Sequence, residues 1–251
     1  MKINADFKAF AAVQFDSTKY IASPSNGISR FMLDRVGNEK ARATTIVEYK
    51  PNSKFPMHEH FGGEEFLVLE GTFKDQYGEF GSGTYVRNPI GSKHSPWVDD
   101  DGCTIMVKLL QMAETEGEGV EPLHVHYDGE NEDKRSTEWG CRIDMYHNVQ
   151  TGENVSMCWI DPRQELPTNG YCNNGEELFV VEGSLFLSTG TEYNKCASLR
   201  FPASNETVPE RKGLKAGPNG AQVYRKTGHL SETAMGMEKI QISMDTEEII
   251  P

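Results

Sequence analysis

The chain has 251 residues, with 38 acidic and 25 basic side chains and a formal net charge of −13. That length holds one large β domain or two smaller ones with ample core, and so acidic a chain excludes nucleic acid and anionic membrane surfaces as main partners. It contains no apolar run of about 18 residues that would cross a membrane as a helix. The first residues, Met1 to Asp6, lack the apolar core of a signal peptide. The cysteines at 103, 141, 158, 172 and 196 are odd in number and form no CxxC pair, which predicts reduced thiols in a cytoplasmic protein.

In chain order, residues 1–26 form short mixed segments. Phe7 to Phe10 is expected to make a helical turn or to lie against the body of the fold. Pro24-Ser25-Asn26-Gly27 is a turn. Ile28 to Val36 and Ala43 to Tyr49 alternate, and Thr44-Thr45-Ile46-Val47 is β-branched throughout, so both read as strands. Pro51-Asn52-Ser53 bends the chain into His58-Glu59-His60. Side chains two apart on a strand share a face, so His58 and His60 aim two imidazoles at one point. The Gly62-Gly63 turn brings Glu64 back to that point, Phe66-Leu67-Val68-Leu69 reads as the next strand, and Gly71 ends it. Short segments follow, punctuated by Gly78, Gly81 and Gly83. Asn88-Pro89-Ile90-Gly91 then turns the chain and delivers His94. Cys103 to Met112 is a further strand. Strands of this size with a turn roughly every ten residues predict an all-β sandwich or barrel.

Residues 113–140 read as a linker. Glu114 to Gly119 is acidic and glycine-rich, and Gly129 to Glu138 is strongly charged. Pro122 to Tyr127 looks like a strand crossing between halves. A repeat then appears. Gly63-Glu64-Glu65-Phe66-Leu67-Val68-Leu69-Glu70-Gly71 recurs 112 residues later as Gly175-Glu176-Glu177-Leu178-Phe179-Val180-Val181-Glu182-Gly183. Arg142 to His147 and Val155 to Ile160 match the strands that precede the His pair. The chain is therefore read as two copies of one β unit, 1–112 with an N-terminal arm and 141–251, joined by 113–140. The tail from Gln222 to Pro251 adds an edge strand or packs across the junction.

These residues carry a family signature. His58-x-His60, three residues, Glu64, six residues, Gly71 is followed by Gly83, five residues, Pro89-x-Gly91, two residues, His94. The pattern resembles the cupins. Where the family has a glycine six positions before the first His, this chain has Asn52; where it has an Asn four positions after the last His, this chain has Val98. The wording between the motifs, with Ser23-Pro24 and Met32-Leu33-Asp34-Arg35, is similar to the cupin branch named for the ChrR-type anti-sigma factors. The anti-sigma activity of those proteins belongs to a separate N-terminal helical zinc domain, and no HxxxCxxC pattern precedes the cupin motifs here. The resemblance implies tandem double-stranded β-barrels of the jelly-roll kind, with His58, His60, Glu64 and His94 as metal ligands. Three imidazoles and one carboxylate suit one divalent transition metal: zinc in a closed site, or iron, nickel or manganese with open positions.

The second copy departs from the pattern. Without gaps, His58 maps to Gly170 and His60 to Cys172, and the stretch matching His94 (Phe201 to Thr207) has no His. That half is expected to bind no metal. His124-Val125-His126 is followed by no Glu at the right spacing and reads as a strand with polar histidines; His147 and His229 are isolated. Glu65 is one residue out of phase with Glu64, points to the opposite strand face and is expected to be a solvated or bridging charge. Tyr85, Arg87, Trp97, Met106 and Lys108 flank the His94 region. Of these, Tyr85, Arg87, Trp97 and Lys108 are taken as substrate-binding candidates, and Arg87 or Lys108, if inward, would hold an anionic substrate or enolate. No catalytic residue is assigned.

Two functions are compatible with this reading. One is a metal-dependent enzyme, since the same branch includes dioxygenases that cleave ketone or diketone carbon–carbon bonds. The other is a zinc-stabilised regulatory or ligand-sensing module. Either way the expected partner is a small-molecule substrate or ligand, and a homodimer is compatible with both.

Overall fold

In a computed structural model, residues 1–38, 40–117, 119–128, 133–168 and 174–231 are described. They are almost entirely β, and the chain divides into two compact units, the first built mainly from Asp16–Asp128. The earliest strands are short: β1 (Lys2–Ile3), β2 (Ala11–Val13) and β3 (Ile21–Ala22). The first unit continues with β4 (Ile28–Gly37), β5 (Ala41–Tyr49), β6 (His58–Glu59), β7 (Glu64–Asp75), β8 (Gly78–Gly81) and β9 (Thr84–Asn88). It ends with β10 (Lys93–His94), β11 (Cys103–Leu109) and β12 (Leu123–His126). Its antiparallel sheet runs β1-β4-β5-β11-β7-β9-β12, with β3 on β4 and β8 on β7, while β10 and β6 form a ladder of their own.

Alternation decides which side chains enter this barrel. Phe66 and Val68 on β7, Val86 on β9, Ile105 and Val107 on β11 and Val47 on β5 form one buried apolar cluster. Glu64 continues the same inward row, two residues ahead of Phe66. The opposite face of β7 is buried as well: Glu65 is 2% exposed and Leu67 fully buried.

The second unit holds β13 (Arg135–Thr137), β14 (Gly140–Asn148), β15 (Glu153–Ile160) and β16 (Glu176–Phe186). It is completed by β17 (Glu192–Asn194), β18 (Ser198–Phe201) and β19 (Lys215–Thr227). Its sheet runs β13-β14-β15-β19-β16-β18-β2, with β17 on β16. The order β14-β15-β19-β16-β18 reproduces β4-β5-β11-β7-β9 of the first unit, which is the repeat seen in the sequence.

Two strands give the segmentation more detail than the linker reading held. β12, within 113–140, pairs with β9 and so belongs to the first sheet. The arm residues Asp6–Phe15 group with the second unit, where β2 pairs with β18. Each therefore closes the same edge of its own sheet. Phe7 and Lys8 occupy a single turn closed by Ala9 N donating to Asp6 O at 3.3 Å; Phe7 is buried and lies under the Arg200 guanidinium, 4.2 Å from it, while Phe10 packs at 5.3 Å on Phe201. In the tail, 222–227 complete β19 as an interior strand between β15 and β16, not an edge. Residues 232–251 lie outside the described residues.

Candidate metal centre

The ladder of β6 and β10 places His94 directly opposite His58. Pairing continues past β6, where His60 N donates to Ser92 O and Gly91 N to His60 O, both at 2.9 Å. His58 and His60 therefore share a face, as their spacing predicts. The turn back to Glu64 depends on its glycines. Gly63 has φ +73°, and a Cβ there would stand 2.2 Å from Met112 Sδ; one on Gly62 would stand 2.7 Å from Leu110 Cα. Only glycine permits both the conformation and the approach.

The donor atoms of His58, His60, Glu64 and His94 lie within 4.8 Å of one another. The imidazole centroids are 4.9 Å (58–60), 4.7 Å (58–94) and 4.6 Å (60–94) apart. Nε2 of His60 and of His94 each stand 3.5 Å from Glu64 Oε2, and Nε2 of His60 is 3.2 Å from Nε2 of His58. The other ring nitrogen of each histidine is engaged outside the cluster. His58 Nδ1 donates to Pro56 O, His60 Nδ1 meets Ser92 Oγ, and His94 Nδ1 donates to Asp75 Oδ2, all at 2.9 Å. A carbonyl or carboxylate oxygen only accepts, so His58 and His94 carry their protons on Nδ1 and turn Nε2 lone pairs inward. Glu64 also accepts from Asn88 Nδ2 at 3.1 Å, its cross-strand partner.

The electrostatics suit a cation. Burial pushes the His58 and His60 imidazoles below the ordinary histidine value, so both are neutral near pH 7. Burial alone would raise the Glu64 carboxyl, but His60, His94, His58 and the Asn88 hydrogen bond outweigh it and hold the group below its usual range. Burial also acts to lower His94, against which Glu64 and Asp75 prevail and raise it. Three imidazoles, two of them neutral and the third held by Asp75, and one carboxylate, with the outer ring nitrogens engaged by other partners, are a divalent-metal donor set.

The remaining candidates divide by strand parity. Glu65 pairs with Arg87 and Lys108, and Leu67 with Tyr85. Tyr85, Arg87 and Lys108 therefore stand on the sheet face opposite Glu64 and do not join the four donors. Glu65 is not solvated: it accepts from Tyr85 OH at 2.6 Å and from Arg87 Nη1 at 2.9 Å, and Arg87 Nε also donates to Glu116 at 2.7 Å. Lys108 Nζ donates to Thr44 Oγ1. Met106 shares that face and is buried. Trp97 lines a cavity of about 380 Å³ with Lys54, Met57, Gln76, Ser95 and Pro96, and none of the four donors is among its lining residues. On β12, His124 stacks on Phe80 at 4.6 Å and His126 Nδ1 stands 3.4 Å from Thr84 Oγ1. Asp75, Ser92 and Asn88 were not legible as site residues. Asn88 alone carries a signal, one position before the Pro89-x-Gly91 turn.

Residues 8–113 match the ChrR cupin-like domain family. The chain has the cupin fold, and residues 8–113 belong to the cupin family. A comparison with proteins of curated function finds no match. Among solved structures, the cupin resembles a dioxygenase candidate from Nostoc punctiforme (14% identity, 91% of this chain and 86% of that one, TM-score 0.62). It also resembles the pirin YhhW of Escherichia coli in complex with nickel(II) (12%, 87% and 98%, 0.63). A third likeness is to the oxalate decarboxylase of Bacillus subtilis, described with Mn(II) centres (12%, 88% and 78%, 0.51). At these identities the likeness shows the fold, two tandem jelly-roll barrels.

In the second barrel Glu176 holds the place of Glu64 and is fully buried. Its carboxylate accepts from the Arg211 guanidinium and, at 2.6 Å, from Arg225 Nε. Burial would raise this carboxyl, but Arg225 and Arg211 outweigh that and hold it below its ordinary value. Arg211 is anchored by Leu166 O and Pro167 O, each at 3.0 Å. Gly170 and Cys172, the counterparts of His58 and His60, lie outside the described residues. His147 Nδ1 stands 3.2 Å from Glu153 O, and His229 Nε2 stands 2.6 Å from Glu177 Oε2. Among the described residues, His58, His60, Glu64 and His94 form the group of donors that could hold a metal.

Proposed function

We propose that this cupin is a metal-dependent enzyme acting on a small oxygen-bearing substrate, of the kind that cleaves carbon–carbon bonds in ketones or diketones with dioxygen. The observation that carries the proposal is the convergence of four donor atoms with both imidazole Nδ1 protons of His58 and His94 committed elsewhere. His58, His60, Glu64 and His94 would hold one divalent transition ion: iron, nickel, manganese or zinc. Such an ion supplies Lewis acidity towards a bidentate oxygen substrate. His58 is the least enclosed of the four ligands, so the approach is from its side. The dioxygenase candidate and the oxalate decarboxylase among the structural relatives support this substrate class. Among the described residues, Cys103, Cys141 and Cys158 form no disulfide, which supports a cytoplasmic setting.

The test is anaerobic loading with iron(II), nickel(II), manganese(II) or zinc(II), followed by oxygen uptake on a panel of β-diketones and hydroxyketones. Uptake with one metal supports the enzyme. No uptake with any metal, together with a four-coordinate protein-only zinc site, sinks it in favour of the second reading. That reading is a non-catalytic zinc-binding ligand sensor, and the ChrR cupin-like match favours it.

A further inference from the structure

The tip of the β7–β8 hairpin grips the His94 segment at four points. Asp75 Oδ2 accepts from His94 Nδ1 at 2.9 Å. Gln76 Nε2 donates to Lys93 O at 2.8 Å and Tyr77 OH to the same oxygen at 3.1 Å. Ser95 N donates to Gln76 Oε1 at 3.2 Å. Asp75 is itself fixed, because its Oδ1 accepts from Tyr77 N at 2.8 Å and Gly78 N at 3.2 Å, and it is 5% exposed. Of the three imidazoles only His94 is backed by a carboxylate; His58 has a carbonyl and His60 a hydroxyl.

We propose that Asp75, held by the hairpin tip, is a positioning residue that sets the tautomer and orientation of His94 for metal ligation. The proposal rests on the metal reading of His58, His60, Glu64 and His94. An acceptor at Nδ1 keeps the proton there and leaves Nε2 free to bind the ion; a carboxylate also strengthens the imidazole as a donor. Asparagine at 75 would keep its oxygen on the two hairpin amides, because two donors point at it. Its NH2 would then face His94 Nδ1, which must become an acceptor, and the proton would move to Nε2 and block ligation. Alanine removes the acceptor without imposing the wrong tautomer.

Two roles thus predict opposite orders. If Asp75 acts through His94, Asp75→Asn weakens metal binding more than Asp75→Ala does. If Asp75 only caps the hairpin turn, Asp75→Ala is the more damaging change, because Asn retains the turn acceptor. The measurement is zinc or cobalt affinity by chelator competition, with metal-free thermal melts alongside. A loss of roughly 10- to 100-fold is expected for Asp75→Asn, with a cobalt absorption spectrum altered from that of the unchanged protein. Where Asp75→Ala fails to fold, the His94→Ala background decides: there Asp75→Asn should leave the residual affinity unmoved. A further loss in that background, or the reversed order, overturns the proposal while the metal site stands. An unchanged protein that binds no metal overturns the site reading itself.

Discussion

At the scale of single residues, each ligand supplies one of four donors. His58→Ala or His94→Ala should lower bound metal from about one per chain towards none, read by elemental analysis of purified protein. Cys172→Ala should leave metal content unchanged, since its barrel lacks the other ligands; loss of metal in that variant would mean the site was misassigned. Gly63 is a stricter case, because it touches no ion. At φ +73° with Met112 Sδ 2.2 Å from any Cβ, Gly63→Ala meets both backbone strain and a clash. It should cost on the order of 1–3 kcal/mol in chemical denaturation and displace Glu64. A variant as stable as the parent, with full metal occupancy, would show that the turn has slack.

At the scale of elements, β7 shows what sequence reasoning reaches and where it stops. The HxH spacing, the glycine turn and the alternation of Glu64 with Phe66 need only local geometry, so the four donors were legible from residues 58–94. Glu65 bridges Tyr85 and Arg87, one of its two expected roles, but is buried and not solvated: phase tells which face a side chain takes, not whether that face is covered, and here both faces are buried. Tyr85, Arg87 and Lys108 were misplaced for the related reason that proximity to His94 in sequence says nothing of strand parity. Asp75 reaches His94 only through a hairpin, and no spacing marks it. The ion pairs of Arg87 with Glu65 and Glu116 are nine-tenths buried or more, so removing the guanidinium takes a charged partner from each of two buried carboxylates. Arg87→Met should therefore cost about 3–5 kcal/mol, measured by urea denaturation. The folded fraction should still take up its metal; loss of metal there would place Arg87 in the site after all.

At the scale of the molecule, the two barrels solve one problem in two ways. Both carry a buried inward carboxylate at the start of the corresponding strand, Glu64 and Glu176. In the first, Nε2 of His60 and of His94 face it at 3.5 Å each; in the second, Arg211 and Arg225 supply positive charge directly. The repeat was legible in the sequence as GEE followed by an apolar run, but the arginines were not, since a guanidinium arriving from another strand belongs to no motif. Glu176 should therefore be a stability residue. Its folded value lies below the ordinary one, so its contribution is present above the usual carboxylate range and is lost as pH falls through the lower folded value. Glu176→Gln leaves two buried guanidinium groups against an amide. It should cost about 3–5 kcal/mol near neutral pH, with the gap to the parent narrowing below about pH 4.3. Trp139 and Trp159 lie in the second unit and Trp97 in the first, so tryptophan fluorescence in a Trp97→Phe background reports the second barrel selectively. Urea denaturation followed that way across the acid range, with metal content unchanged, is the expected outcome. A gap independent of pH would mean that the charge of Glu176 does not hold the second barrel together.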